Sequence, residues 1–306
     1  MASDPRAAAV VDLGTNTFHL LVGYVDDAGQ LRETYRERHF VKLADEGIDV
    51  IGEASARRAE AACRSLGEAL AREAPVRAVA FGTAALRTAA NGPALRARLA
   101  AALGVEIQVI DGRREAQLIA RGVEAAGLDP ARRSLIVDIG GGSVEFILYD
   151  GGAVRFSESY PVGGQVMRRR FHVREPFGKT QYEALARHLD EVLAPVRAAV
   201  GEAPVTLVGA SGTFDVLGDL YGEPPGGTLR RVGLARVHAL FAEVAAMDER
   251  ERLDDARIPA DRADMLPVAL GLVDYVARRL PVSDVYACAY ALKEGALYEL
   301  ERPAAT

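Results

Sequence analysis

The chain has 306 residues, 49% hydrophobic and 26% charged, an ordinary soluble composition long enough for one large or two medium cores. No apolar run approaches the ~18 residues of a membrane span. The net charge of −6 gives the surface no general attraction for nucleic acid, so a polyanionic substrate needs a local basic lining.

In chain order, strand-like runs are expected at 8–13, 18–25, 31–39, 76–81, 105–110, 133–139, 144–149, 153–160, 204–209 and 283–287. Helical periodicity fills 53–74, 91–103, 113–126, 178–200, 234–246, 263–280 and 290–301. Strands mixed with long helices predict an α/β protein. The opening "MASDPRAAAV" lacks the basic segment and apolar core of a signal peptide, so the reading is cytoplasmic. Cys63 and Cys288 sit among small and aliphatic residues without metal-like spacing and read as buried reduced thiols. None of His19, His39, His172, His188 and His238 pairs at metal spacing. The stretch "MRRRFHVREPFGK" (167–179) is the dense basic segment, read either as a solvated helix end or as a lining for an anionic chain.

The chain repeats itself. "VVDLGTNTFHLLVGYVDDAG" from Val10 aligns without a gap on "IVDIGGGSVEFILYDGGAVR" from Ile136, so that Asp12 meets Asp138, Gly14 meets Gly140 and Thr17 meets Ser143. Each copy reads strand, Asp-x-Gly turn, strand, polar turn, strand. The polar, proline-containing "AAGLDPARRS" (125–134) is the candidate boundary, giving domains at 1–125 and 126–306.

Glycines at these turns are not those of the common nucleotide loops. A Rossmann fingerprint opens a helix, and a P-loop ends in Lys-Ser/Thr. Here "SVEFILY" continues as a strand after Gly142. An anion is therefore expected to be held by turn N–H groups and hydroxyls, from Gly14, Thr15, Asn16 and Thr17 in one copy and Gly140, Gly141, Gly142 and Ser143 in the other. The missing Cβ atoms permit close approach and positive φ. Asp12 and Asp138, at strand ends, fit recruitment of a divalent cation, Mg²⁺ or another such as Mn²⁺, through water and phosphate oxygens. Glu145 reads as a further ligand or as an exposed strand carboxylate, and His19 holds its place in the first copy.

The two hairpins resemble the phosphate loops of the actin-like ATPase superfamily. With "GTAALRTAAN" (82–91), "IQVIDGRREAQLIARGV" (107–123), "VGASGT" (208–213) and "ALKEGALYEL" (291–300), the resemblance narrows to the exopolyphosphatase / guanosine pentaphosphate phosphohydrolase (Ppx/GppA) family, in a short two-domain form. It implies two actin-like (ribonuclease H-like) domains with an interdomain cleft, and a final helix at about 290–306 packed back on the first domain. It implies hydrolysis of the terminal phosphoanhydride of inorganic polyphosphate or of guanosine pentaphosphate (pppGpp), and a homodimer. Glu115 would activate the attacking water, and Arg87 would grip the terminal phosphate. Without the resemblance, Glu115 reads as a first-turn glutamate complementing a helix dipole and Arg87 as a solvated helix-end arginine. Gly209, Ser211, Gly212 and Thr213 would contact the distal substrate or simply turn the chain. The resemblance implies two adjacent acids, as in many of the family, where this chain has Arg114-Glu115. A superfamily kinase, with Asp215 as base, and a non-catalytic nucleotide switch are the rival readings.

Overall fold

The computed structural model describes residues 6–171 and 175–301; residues 1–5, 172–174 and 302–306 lie outside it, among them His172 and Arg174 of the basic stretch. The chain divides into two compact units, Met1–Ala125 with Gly140–Gly142 and Tyr290–Thr306, and Ala126–Ile139 with Ser143–Ala289. No described helix is long and apolar enough to cross a membrane.

The first unit begins with strands β1 (Ala8–Leu13), β2 (Thr17–Val25) and β3 (Leu31–Phe40), followed by helix α1 (Glu53–Glu73). Strand β4 (Arg77–Gly82), helices α2 (Ala84–Thr88) and α3 (Gly92–Leu103), strand β5 (Ile107–Val109) and helix α4 (Gly112–Ala125) complete its N-terminal part. The sheet order is β3-β2-β1-β4-β5, antiparallel at β1–β2 and β2–β3 and parallel at β1–β4 and β4–β5. The two-residue period decides the core: Ala9, Val11 and Leu13 of β1 share a face with Phe18, Leu20 and Val22 of β2. Onto that face α1 packs Ala56, Ala59, Cys63, Leu66 and Leu70, the three-and-four spacing of one helical stripe.

The second unit carries β6 (Ser134–Ile139), β7 (Val144–Asp150) and β8 (Ala153–Tyr160), then α5 (Gly164–Arg170), α6 (Lys179–Val192) and α7 (Ala194–Val200). There follow β9 (Val205–Ala210), α8 (Gly212–Tyr221), β10 (Leu229–Arg231), α9 (Leu234–Ala246), α10 (Glu249–Asp254), α11 (Leu266–Arg279) and β11 (Val282–Cys288). Its sheet order, β10-β11-β9-β6-β7-β8, contains the first sheet's plan with β6 in the place of β1. The repeat extends to an irregularity. Pairing shifts between Val22 and Gly23 in one hairpin and between Leu148 and Tyr149 in the other, and the alignment of Val10 on Ile136 puts Val22 on Leu148. Both second hairpins thus bend at one equivalent point.

The last helix, α12 (Leu292–Glu301), belongs to the first unit and crosses α4 at two glycines. A Cβ on Gly295 would lie 1.8 Å from the Leu118 carbonyl, and one on Gly122 2.2 Å from the Ala291 carbonyl. Only bare backbone allows these helices to come so close. The Tyr298 hydroxyl adds a clasp, donating to the Gly29 carbonyl at 3.0 Å and accepting from the Leu31 N–H at 3.1 Å.

The helix expected over 178–200 is two helices, because Pro195 sits in the first turn of α7 and cannot donate to the turn before it. The helix expected from 263 starts at Leu266, with Pro267 in its first turn. The short α2, α5 and α10 escaped the periodicity reading because two turns or fewer hold too few apolar repeats, and the apolar pattern of α8 is interrupted by glycine.

Candidate functional site

The first turn is held by its carbonyls. Gly14 N–H closes it onto the Thr17 carbonyl at 3.1 Å. The Asn16 carbonyl accepts from Val41 and Lys42, and the Thr15 carbonyl from Leu43 at 2.7 Å. In a planar trans peptide the N–H points opposite to the C=O, so the Asn16 N–H is directed away from segment 41–43. That segment is itself clamped from α1, where Arg58 donates to the Val41 and Lys42 carbonyls and Ser55 to the Lys42 carbonyl.

Thr15, Asn16 and Thr17 are all buried. The Thr15 hydroxyl is 4% exposed at residue level and has no hydrogen-bond partner within the protein. A buried hydroxyl without a partner is costly and calls for a ligand.

Gly140–Gly142 belong with this first unit although the strands on either side do not. A Cβ on Gly142 would stand 2.6 Å from Thr15 Oγ1 and 3.1 Å from both Ala84 Cβ and Ile48 Cδ1. The second turn thus abuts the orphaned hydroxyl of the first. The expectation of positive φ is corrected here: Gly14, Gly140, Gly141 and Gly142 all lie outside the left-handed region, which Gly29, Gly151 and Gly152 of the distal turns do occupy. At Gly142 the need for glycine is space, not conformation.

Ala84 opens α2, and Arg87 lies one turn further along it. Arg87 Nη1 donates to the Ile110 carbonyl at 2.8 Å and to Glu115 Oε2 at 3.0 Å. Glu115, in the first turn of α4, is 7% exposed, so it is no solvated dipole partner, and Arg87 is no solvated helix end. The structure therefore joins Thr15, Gly142, Arg87 and Glu115 through one short helix. Arg114 pairs with Glu299 of α12 through both terminal nitrogens.

Asp12 pairs in register with His19, and Asp138 with Glu145, so each aspartate shares a sheet face with the residue opposite. Glu145 is 2% exposed, which removes the reading of an exposed strand carboxylate. Its Oε1 accepts from Ser143 and Ser159, both at 2.7 Å. Among the described residues no group of three or more His, Cys, Asp or Glu side chains is placed to hold a metal ion. Mg²⁺ commonly takes one or two carboxylates and completes its shell with water and phosphate, so the Asp138–Glu145 pair fits such an ion.

The "GASGT" loop divides its roles. A Cβ on Gly209 would fall 1.9 Å from the Phe214 ring, so this glycine exists for packing. Thr213 is buried. Gly212 lies under the Arg262 guanidinium, 2.0 Å from where a Cβ would be. Ser211 exchanges both backbone bonds of Ile139 through its hydroxyl, at 3.2 Å from the N–H and 3.0 Å from the carbonyl. Asp215, the base of the kinase reading, is exposed. Arg262 and Lys42 were not singled out from sequence; no motif marks them, and only contacts to Gly212 and Asn16 across the fold do.

Residues 24–303 match the model of the Ppx/GppA phosphatase family. The chain belongs to that family. The structure is similar to that of an exopolyphosphatase from Cytophaga hutchinsonii, with TM-score 0.90, 33% identity, and coverage of 96% of this chain and 97% of that one. It also shares its fold with an exopolyphosphatase-like protein (TM-score 0.86, 22% identity, 96% and 97% covered) and with the Ppx/GppA member of Aquifex aeolicus (TM-score 0.79, 21% identity, 96% and 97% covered). Both sheets accordingly belong to the actin-like α/β class of the family, and the protein is a hydrolase of phosphoanhydrides.

Proposed function

We propose that this Ppx/GppA phosphatase is an exopolyphosphatase, releasing phosphate from the end of inorganic polyphosphate. The observation that carries the reading is the buried, partnerless Thr15 hydroxyl facing bare Gly142, one helical turn from the Arg87–Glu115 pair. The terminal phosphate supplies the missing partner of Thr15, with turn N–H groups from Gly14–Thr17 and Gly140–Gly142 around it. Arg87 keeps Nε and Nη2 for a phosphate oxygen while Nη1 holds Glu115. Glu115 Oε2 takes a proton from water as its oxygen attacks the terminal phosphorus. The bond to the bridging oxygen breaks, and the shortened chain leaves with that oxygen. Asp138 and Glu145, paired across β6 and β7, would hold a divalent cation, which would supply charge neutralisation on the phosphate oxygens.

Guanosine pentaphosphate offers the same terminal phosphate, and one assay separates the two substrates. Phosphate release is measured from polyphosphates of graded length and from pppGpp, with Glu115→Gln as control. The reading predicts higher kcat/KM on polyphosphate and loss of both activities in the variant. Undiminished turnover by Glu115→Gln removes Glu115 from this role.

A further inference from the structure

We propose that Ser211 is a positioning residue for the second glycine turn, its hydroxyl fixing the peptide through which the chain leaves β6 for Gly140–Gly142. The inference rests on the anion-binding reading of that turn and assigns Ser211 no contact with substrate.

The parallel pairing of β6 with β9 runs to Asp138 and Ala210. At the next rung the partner strand offers a side chain instead of a backbone. Ser211 Oγ accepts from the Ile139 N–H and donates to the Ile139 carbonyl. Because the Ile139–Gly140 peptide is planar, anchoring the Ile139 carbonyl also sets the direction of the Gly140 N–H, one of the donors of the turn.

Two features set Ser211 apart from an ordinary helix-capping serine. Its φ of 79° and ψ of 174° lie in a region that L-residues adopt only under constraint and glycine adopts freely. It also occupies the N-cap position of α8, yet its side chain makes no capping bond, the role for which serine is favoured there. The chain accepts backbone strain and gives up a cap, and what it gains is the pair of hydrogen bonds to Ile139. The first copy offers an internal comparison. There Leu13 stands in place of Ile139, and its carbonyl is met by the backbone N–H of Thr83 at 3.3 Å, with Thr83 at an unstrained φ of −113°. Only the second copy, the one with three consecutive glycines, replaces the backbone rung by a hydroxyl.

Two variants separate positioning from simple stability. Ser211→Ala loses the hydroxyl and keeps the strain; Ser211→Gly loses the hydroxyl and relieves it. Thermal melting, KM and kcat on polyphosphate, and inhibition by inorganic phosphate are measured for both. Positioning predicts that Ser211→Ala melts lower than Ser211→Gly, while both raise KM and weaken phosphate inhibition by about the same factor, about tenfold. Activity losses that follow the melting order, or a wild-type KM in Ser211→Gly, overturn the proposal. Should the wild type release phosphate from neither polyphosphate nor pppGpp, the substrate reading fails by itself. Amide exchange at Gly140 then decides the rest: faster exchange in both variants supports the hydroxyl anchor, and unchanged exchange overturns it.

Discussion

The Arg87 guanidinium, itself half-buried, pairs with the buried Glu115 carboxylate at 3.0 Å, and the same arginine nitrogen is also held by the Ile110 carbonyl. Charge and geometry are therefore set together. Glu115→Gln keeps an oxygen for Arg87 but removes the carboxylate charge and its proton acceptance, so kcat is expected to fall by about 10²–10⁴-fold while KM changes less. Arg87→Ala is expected to lower kcat/KM by about 10²–10³-fold and also to destabilise the fold, by about 1–3 kcal/mol, because a buried carboxylate loses a charged donor. Steady-state kinetics with parallel urea unfolding distinguishes the two patterns.

Thr15→Val tests the orphaned hydroxyl. The substitution keeps the β-branched shape and removes a buried oxygen that has no hydrogen-bond partner within the protein. Stability is expected to rise by about 1 kcal/mol while KM for polyphosphate rises several-fold. Stability and function move in opposite directions, which urea unfolding beside a phosphate-release assay reads directly. A Thr15→Val variant that is both less stable and fully active contradicts the site.

Gly295→Ala tests the crossing of α12 with α4. The added methyl meets the Leu118 carbonyl, backbone that cannot swing aside, so the helices must separate. A loss of about 2–3 kcal/mol is expected, measured by chemical unfolding. Because α4 carries Glu115 in its first turn, kcat falls as well. Glu299→Gln, which weakens only the exposed pair with Arg114, is expected to cost about 0–1 kcal/mol.

Asp274 gives a pH signature independent of catalysis. Burial pushes its carboxyl upward, but hydrogen bonds from Arg278, Tyr182 and His238 outweigh that, and the folded-state pKa lies below the ordinary aspartate value. The unfolded chain therefore binds this proton at higher pH than the folded one. The stabilisation is complete above the ordinary value, about 3.9, and is lost as pH falls toward the depressed folded value. Urea midpoints measured across acidic pH are expected to fall more steeply for the wild type than for Asp274→Asn, whose curve lacks that component.

The fold was legible where local pattern carries it. The alternating residues of β1 and β2, the helical stripe of α1 and the repeated Asp-x-Gly turns need no distant partner to be read. The structure adds to that repeat an irregularity at the equivalent point of both hairpins. Glu115 and Arg87 were marked only by a family motif, because a glutamate in a helix's first turn has an ordinary local explanation. Their mutual hydrogen bond joins residues 28 apart and leaves no periodic trace. Positive φ was expected at the glycine turns and is not found; the steric need for glycine at Gly142 comes from Thr15 and Ala84, which the local sequence does not contain.

The amino-acid order alone thus determined the strands, the main helices, the duplicated hairpins and the positions of their acids, since these follow from short-range sterics and from the burial period of each element. Tertiary structure alone decided that Gly142 meets the Thr15 hydroxyl, that Arg87 pairs with Glu115, that α12 lies on α4 through two glycines and that Ser211 gives up its cap to hold Ile139. These depend on close approach between segments far apart in the chain, where a hydroxyl, a charge or a missing methyl acquires meaning from its neighbour in space.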